Sequence, residues 1–350
     1  MIYVHVPYCR SFCKYCDFYS EIACKGLDKF EDYTLELCSE ALSRKEEIVE
    51  SSAVNTLYLG GGTPSVMPLS FFERLLESLS ECGAGPFDEF TVEVNPDDIT
   101  RRGPEFAKAL RALGVNRISM GVQSLDDTQL RWMGRRHNAA AARQAFAILR
   151  EARFDNISLD IIFGVGGFGK RSLEDSLSGL LELAPEHISA YQLSIEPGSE
   201  LSRLLEEGLY SELPDEQCRE QYELICERLR EAGYGHYEIS NWSKPGREAL
   251  HNSSYWTRAP YVGLGPGAHS LRIHDGVQTR SWNPQTPAGW LRVRAAHPED
   301  YQELLTPEEI EEERIMLGLR TERGTTIDGR PVRIPESDWF IADSIIQNYI

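Results

Sequence analysis

The sequence contains no run of about 18 apolar residues, which is the shortest stretch that crosses a bilayer as a helix. It also shows no charged segment followed by an apolar one at its start, so no secretory signal peptide is predicted. Basic residues are few: 36 Lys and Arg stand against 55 Asp and Glu, which gives a net charge of −19. Nucleic acids and anionic lipids both attract basic surfaces. The sequence therefore predicts a cytoplasmic protein with no membrane span and no nucleic-acid partner.

Only eight cysteines occur in the 350 residues. In a chain predicted to be cytosolic, this number does not indicate a disulfide framework. Three of them, Cys9, Cys13 and Cys16, nevertheless lie within eight residues, just after the first predicted strand. Two kinds of site fit this spacing. Zinc would take a fourth ligand, from Cys24, His5 or a distant histidine. A 4Fe–4S cluster held by three thiolates would instead keep one iron open to an external ligand, and the spacing alone does not choose between them.

Six short apolar or β-branched segments alternate with amphipathic stretches over the first 195 residues. They lie at Ile2–Pro7, Thr56–Gly61, Glu89–Asn95, Arg117–Gln123, Ser158–Gly164 and His187–Ser194. This alternation predicts parallel strands joined by helices, and therefore an α/β fold. Polar residues and glycines follow the strands at their carboxyl ends, where parallel sheets build their sites. Contributions from nearly every strand favour a partial (β/α)6 TIM-type barrel over an open doubly wound sheet.

The pattern changes after about residue 200. A long helix is predicted to end at Gly233, and segments rich in glycine and aromatic residues follow it. An acidic helix is predicted further on, with Thr306 as its N-cap and Pro307 at its first position. We therefore divide the chain into a core of residues 1–235 and a C-terminal accessory region of residues 236–350.

The cysteine motif has an aromatic residue, Tyr15, just before its third cysteine, and the segment "GGGTP" follows the second strand. Together these features resemble the radical S-adenosylmethionine (SAM) superfamily. The resemblance implies a 4Fe–4S cluster bound by Cys9, Cys13 and Cys16, whose open iron chelates SAM. In that superfamily, an electron passed through the cluster cleaves SAM and yields a 5′-deoxyadenosyl radical. The missing fourth ligand would then be SAM itself.

The superfamily pattern also implies which residues contact SAM. Their chemistry is suitable: glycine exposes the backbone, an amide offers both a donor and an acceptor, and a guanidinium can hold a carboxylate in a fork. A carboxylate such as Asp160 in an apolar strand is costly unless it is paired. The implied SAM contacts are Tyr3, Tyr15, Gly61, Gly62, Thr63, Glu93, Gln123, Arg135, Asp160, Ser194 and His269.

Further segments, among them "EVNPDD", "RISMGVQS", "YEISNW" and "GLGPGAHS", resemble the oxygen-independent coproporphyrinogen III oxidase group over roughly residues 1–320. Two departures indicate the haem-chaperone branch of that group rather than the oxidase. Phe18 stands where the oxidase has a further cysteine. A first strand at Ile2 would also leave no room for the oxidase's extended N-terminal segment.

The chaperone branch has an "HNxxYW" motif, which corresponds here to His251, Asn252, Tyr255 and Trp256. A histidine can ligate haem iron and aromatic rings can stack on the macrocycle, although a helix start with core aromatics is the simpler interpretation. The resemblance implies a haem chaperone that binds the cluster, SAM and haem, receives electrons from a donor and passes haem to an acceptor apoprotein. The alternative is an enzyme, the oxidase that decarboxylates porphyrinogen propionates with SAM.

Overall fold

The computed structural model describes residues 1–16, 21–22, 27–286 and 289–350. Phe18 and Cys24, which figured in the sequence interpretation, lie outside the described residues. The strands are β1 (Ile2–Val6), β2 (Tyr8–Cys9), β3 (Glu21–Ile22), β4 (Thr56–Gly61), β5 (Glu89–Val94), β6 (Arg117–Gln123), β7 (Ile157–Phe163), β8 (His187–Gln192), β9 (Gly235–Glu238), β10 (Asn241–Ser243), β11 (Val262–Leu264), β12 (His269–His274), β13 (Val277–Trp282), β14 (Gln302–Leu304), β15 (Thr325–Ile327) and β16 (Arg330–Val332).

Helices connect most of these strands. The α-helices are α1 (Leu27–Ser43), α2 (Lys45–Glu50), α3 (Leu69–Glu81), α4 (Pro96–Ala112), α5 (Asp127–Trp132), α6 (Ala139–Glu151), α7 (Lys170–Leu183), α8 (Glu200–Glu206), α9 (Asp215–Glu231), α10 (Leu250–Trp256), α11 (Trp290–Ala296), α12 (Pro307–Leu319) and α13 (Ala342–Ile346). Three short 3-10 helices cover Pro64–Val66, Pro298–Tyr301 and Glu336–Ile341. In the part of the chain that is described, no helix is both long and apolar enough to cross a membrane.

Nine strands form one sheet in the order β11-β1-β4-β5-β6-β7-β8-β10-β9. The six strands predicted from the sequence are β1 and β4 to β8, and these six pair in parallel with one another. Each lies within two residues of its predicted bounds. The edge strands β9 and β11 do not pair with one another among the described residues, so the sheet does not close. The predicted α/β fold and its partial barrel are confirmed.

The apolar core lies where the helices cover this sheet. On β6, the alternate residues Ile118, Met120 and Val122 have no exposed surface, and Phe72 and Leu75 of α3 belong to the same core. Since successive side chains of a strand point to opposite faces, the other residues of β6 face the opposite way. That second face carries the polar residues of β6, which are Arg117, Ser119 and Gln123.

Segments from beyond residue 235 complete both edges of the same sheet. β10 is antiparallel to β8 and β9 is antiparallel to β10, whereas β11 pairs in parallel with β1. Strands from both sides of residue 235 therefore share one sheet. The division of the chain at that residue stays a prediction. Helix α12 begins as predicted: Thr306 Oγ1 accepts from the N–H of Glu309, and the Glu309 carboxylate accepts from the N–H of Thr306, which is a capping box.

Candidate functional site

The cysteine motif occupies the loop that follows β1. Cys9 ends β2, and its Sγ lies 3.4 Å from Thr63 Oγ1. Cys13 Sγ accepts a hydrogen bond from Arg135 Nη1 at 3.3 Å, and the N–H of Cys16 donates to the carbonyl of Cys13 at 3.2 Å. All three cysteines line one cavity of about 660 Å³. The loop thus brings its thiols to a space large enough for a small-molecule ligand.

The glycine turn at the end of β4 lies against the start of the cysteine loop. The N–H of Gly62 donates to the carbonyl of Val6 and that of Thr63 to the carbonyl of Tyr8, both at 2.8 Å. A Cβ at Gly62 would lie 2.8 Å from each of those carbonyl oxygens, which is too close for a carbon atom. Gly61 has a φ of +100°, which glycine adopts without strain. Glycine therefore allows the two loops to meet at the wall of the cavity.

Glu93 and Asp160 are among the carboxylates that line the same cavity. Glu93 on β5 accepts hydrogen bonds from the Tyr58 hydroxyl at 2.7 Å and from the N–H of Gly61 at 3.2 Å. Asp160 on β7 accepts from Ser119 Oγ at 3.1 Å. Burial raises the pKa of Glu93 to about 7 and also raises the pKa of Asp160. Glu93 can therefore be protonated or ionised near neutral pH, which suits it to contact either a ligand hydroxyl or an ammonium group.

This pKa makes the stability of the ligand-free chain depend on pH through Glu93. Its carboxyl is harder to ionise in the folded chain, at about 7, than at its ordinary value of 4.5. The unfolded chain therefore releases this proton first, and the free energy of unfolding is expected to fall by a few kcal/mol between about pH 4.5 and 7. Denaturant unfolding of wild type and Glu93→Gln across that range measures the effect. Identical pH profiles would show that Glu93 ionises normally.

Positive charge reaches the cavity from Arg117 on β6 and from Arg135. The side chain of Arg135 donates to the carbonyl of Gly121 at 2.7 Å and to Asn95 Oδ1. The Nε atoms of both arginines and the Oε1 of Gln123 are buried without a hydrogen-bond partner among the described residues. Unpaired buried polar atoms cost free energy, so native proteins seldom leave them without a partner. Arg117 and Arg135 line the cavity with positive charge, while these three atoms are themselves covered by protein.

Most of the predicted SAM contacts meet at this cavity. Those that line it are Tyr15, Gly61, Gly62, Thr63, Glu93, Gln123, Arg135, Asp160 and Ser194. Two others are not among the described lining residues. The Tyr3 hydroxyl lies 3.2 Å from His5 Nδ1, and the Tyr3 ring stacks on Tyr58. His269 is exposed and stacks on Trp282, with 6.0 Å between the ring centroids.

The residues predicted to bind haem lie behind the cavity wall on α10. His251 is only 1% exposed. Its Nδ1 lies 2.8 Å from Thr56 Oγ1, and its Nε2 lies 3.0 Å from the Tyr255 hydroxyl. The Nε1 of Trp256 is buried and has no partner among the described residues, while Asn252 reaches the cavity. In this conformation neither nitrogen of His251 is available to a haem iron.

Several lining residues were not predicted from the sequence. They are Tyr58, Asn95, Arg117, Ser119, Ser189, Tyr191 and Asn252. A signal for some of them was present, because "RISMGVQ" alternates strictly between residues that line the cavity and buried apolar residues. In a strand covered by helices on one face, such alternation indicates a polar inner face.

Comparisons with known proteins agree with this geometry. The model of the radical SAM superfamily matches residues 3–179. The chain is 34% identical over 327 residues to the heme chaperone HemW of Bacillus subtilis, which covers 93% of this chain and 84% of that protein. It is also 34% identical over 341 residues to the mitochondrial radical S-adenosyl methionine domain-containing protein 1 of Bos taurus, covering 93% of this chain and 74% of that protein.

Among solved structures, the fold is similar to that of the radical SAM enzyme coproporphyrinogen III oxidase (HemN) from Escherichia coli. The TM-score is 0.77, and the alignment covers 100% of this chain and 90% of that one. The sequence identity over this alignment is 18%, so the similarity describes the fold alone. It extends over the C-terminal strands as well as the parallel sheet.

Proposed function

The chain belongs to the radical SAM superfamily, and from this membership we propose that it is a haem chaperone that binds a 4Fe–4S cluster, SAM and haem and transfers the haem to an acceptor protein. Membership itself confirms the resemblance drawn from the sequence. One observation carries the cluster and SAM part of this proposal: the three motif cysteines line the same cavity as polar residues of β4 to β7. We further propose that the protein works in the cytoplasm and takes electrons from a donor protein.

Cys9, Cys13 and Cys16 are the proposed cluster ligands, because thiolates are the usual protein ligands of iron–sulfur clusters. The hydrogen bond from Arg135 Nη1 to Cys13 Sγ fits this role, since a charged donor stabilises a thiolate and orients it. Three thiolates leave one iron for an external ligand, and the adjoining cavity offers room for one. When bound, the cluster would supply an electron and an iron coordination position.

The cavity is the proposed SAM site. Arg117, Gln123 and Arg135 line it, and their guanidinium and amide groups suit the carboxylate, hydroxyl and amino groups that SAM carries. Glu93 can accept a hydrogen bond from the ribose or the amine, and the turn at Gly61 and Gly62 forms part of the cavity wall beside it. Tyr3 and His269 stay predicted contacts that lie off this cavity.

The comparisons favour the chaperone over the oxidase. Proteins named heme chaperone HemW are 31–34% identical to this chain over 92–93% of its length. The solved oxidase structure, at 18% identity, describes the fold alone. An oxidase remains the alternative function, since the same cavity would serve SAM in either protein. Whether the chain is also an enzyme is therefore a matter for direct assay.

The assay uses the anaerobically reconstituted chain with dithionite and SAM. We expect haemin to give a Soret band that saturates with the protein, and coproporphyrinogen III to be recovered unchanged. Metal-free protoporphyrin is the control, since it can stack on aromatic side chains but offers no iron to ligate. Decarboxylated porphyrinogen in amounts exceeding one turnover would overturn the chaperone proposal and favour the oxidase.

The proposed haem role of the HNxxYW motif requires α10 to rearrange, because both nitrogens of His251 are hydrogen-bonded. His251→Ala removes the proposed iron ligand and is expected to weaken haemin binding at least about tenfold. Tyr255→Phe keeps the ring at position 255 but frees Nε2 of His251, so it is expected to strengthen haemin binding up to about fivefold, the value of one neutral hydrogen bond. Haemin titrations of wild type and both variants measure these effects.

The two variants together separate ligation from stability. Weaker haemin binding in both would indicate that the hydrogen-bonded arrangement of α10, rather than the His251 nitrogen, matters for haem. Unchanged binding in both would remove His251 from the proposed site. Iron and sulfide content should match wild type in each variant, because none of the motif cysteines is altered.

A further inference from the structure

Three metal-binding side chains meet at the β9 edge of the sheet, outside the cavity. Cys226 lies on α9, His236 on β9, and Glu336 at the first position of the 3-10 helix Glu336–Ile341. His236 Nδ1 is 2.9 Å from Glu336 Oε1 and 4.0 Å from Cys226 Sγ. All three ligand atoms lie within 4.8 Å of one another. These residues are 10 and 100 positions apart in the sequence, so only folding brings them together.

The surroundings hold the imidazole ring of His236 in one position. Trp242 stacks on it with 4.0 Å between ring centroids and 14° between ring planes, and Trp339 meets it at 4.3 Å. Cys226 is 7% exposed, and burial raises the pKa of its thiol to about 12. Only Glu336 reaches the surface. The cluster is therefore preorganised, dry on one side and open to solvent on the other.

The hydrogen bonds around the cluster correspond to a metal site. His236 Nε2 lies 3.2 Å from the carbonyl of Ile239, and the second carboxylate oxygen of Glu336 pairs with Arg230 at 2.8 Å. A metal-bound histidine normally donates its other N–H to a backbone carbonyl, and ligating carboxylates are themselves hydrogen-bonded. Both nitrogens of His236 face an acceptor, yet a neutral imidazole carries only one N–H. A cation at Nδ1 would satisfy that side.

A cysteine nucleophile is the other use of such residues, but the geometry opposes it. In a nucleophilic triad, the thiol and the carboxylate contact opposite nitrogens of the histidine. Here Cys226 and Glu336 both face Nδ1, and the other nitrogen faces the carbonyl of Ile239. His236 could not relay a proton from Cys226 to Glu336. The Sγ, Nδ1 and carboxylate oxygen instead surround one point, as the ligand atoms of a metal ion do.

We propose that Cys226, His236 and Glu336 bind one Zn²⁺ ion, with water as the fourth ligand on the exposed side of Glu336. Sulfur, nitrogen and carboxylate oxygen together suit zinc, and three protein ligands leave one position of a tetrahedral site for water. Binding would release the thiol proton of Cys226. The ion would join α9 and β9 to the segment Glu336–Ile341, and so clamp the C-terminal end of the chain onto the sheet edge.

The test uses Co²⁺ as the spectroscopic probe in a full-length Cys9→Ala/Cys13→Ala/Cys16→Ala variant. The three cysteines proposed to hold the iron–sulfur cluster then cannot bind the Co²⁺. We expect the variant to bind one equivalent of Co²⁺ and to show a thiolate-to-cobalt charge-transfer band. Added Zn²⁺ should displace the Co²⁺ and remove the band. Adding Cys226→Ser should abolish the band. Adding Cys218→Ser should leave it unchanged, because Cys218 lies buried on the same helix, where its Sγ lies 3.6 Å from the Leu213 carbonyl.

A second variant guards against misfolding of Cys226→Ser. Glu336 is 36% exposed, so Glu336→Gln should fold, and it is expected to weaken Co²⁺ binding at least about tenfold. In the cluster-loaded chain, wild type should hold one zinc more than Cys226→Ser after incubation and desalting. No band in the parent variant, or a band that neither Cys226→Ser nor Glu336→Gln changes, would overturn the site. His236 and Glu336 would then be a metal-free hydrogen-bonded pair.

Discussion

Cys13→Ala is expected to leave the chain without a stable iron–sulfur cluster. With three proposed thiolate ligands and one open iron, the loss of any thiolate leaves two irons without a protein ligand. Iron and acid-labile sulfide after anaerobic reconstitution should fall from about four each per chain to background, and the absorbance of the cluster should disappear. Cys9→Ala and Cys16→Ala are expected to behave in the same way.

Cys38→Ala is the matched control for that experiment. Cys38 lies on α1, is also half-buried, and is not among the described residues that line the cavity. Its replacement should leave iron and sulfide at wild-type levels. Circular dichroism of each variant checks the fold, since Cys13 also accepts the hydrogen bond of Arg135. Wild-type iron content in a folded Cys13→Ala chain would contradict the three-thiolate cluster.

Arg117→Met is expected to lower the free energy of unfolding of the ligand-free chain by about 3 to 5 kcal/mol, because it removes one side of a buried charge arrangement. Arg117 is 2% exposed and interacts electrostatically with Glu89 and Asp160. Glu89 in turn accepts from the N–H groups of Leu250 and His251, at the start of α10. Methionine keeps much of the volume and removes the charge. Denaturant unfolding monitored by circular dichroism measures the loss.

Two further variants give that result its meaning. Arg131→Met alters an exposed arginine and should change stability by no more than about 0.5 kcal/mol. Arg117→Lys keeps the charge and should recover part of the stability that Arg117→Met loses. If Arg117→Met is as stable as wild type, Arg117 does not balance the carboxylates of β5 and β7.

The parallel strands could be predicted from sequence because each is a short apolar segment between helix-forming stretches. Residues such as Ile118 and Met120 must be buried whichever strand lies next to them. The pairing of β11 with β1 could not be predicted. Its three residues, Val262–Leu264, carry no periodicity, and their partners begin at Ile2, some 260 positions earlier.

Part of the cavity followed from a single rule, that parallel strands end at one edge. The superfamily resemblance implied Glu93 and Gln123 near that edge as SAM contacts, and both residues line the cavity. The rule does not predict Arg117, because Arg117 lies at the start of β6 rather than at its end. Only the alternation of side chains along the strand places the Arg117 side chain on the cavity face. His269 was named from its motif, and in the structure its ring stacks on Trp282, its partner across the β12–β13 hairpin.

The sequence alone determined what depends on neighbours along the chain: the spacing of Cys9, Cys13 and Cys16, the strand and helix periods, and the N-cap Thr306 of α12. These features depend on residues that are close together along the chain, so their pattern can be recognised without knowing how the chain packs. The tertiary structure decided which side-chain atoms are already hydrogen-bonded and which side chains lie close enough to bind one ligand. The nitrogens of His251 are occupied by Thr56 and Tyr255, and Cys226 meets Glu336 across 110 residues. Such contacts arise from packing of distant segments, whose separation along the chain carries no information about their separation in space.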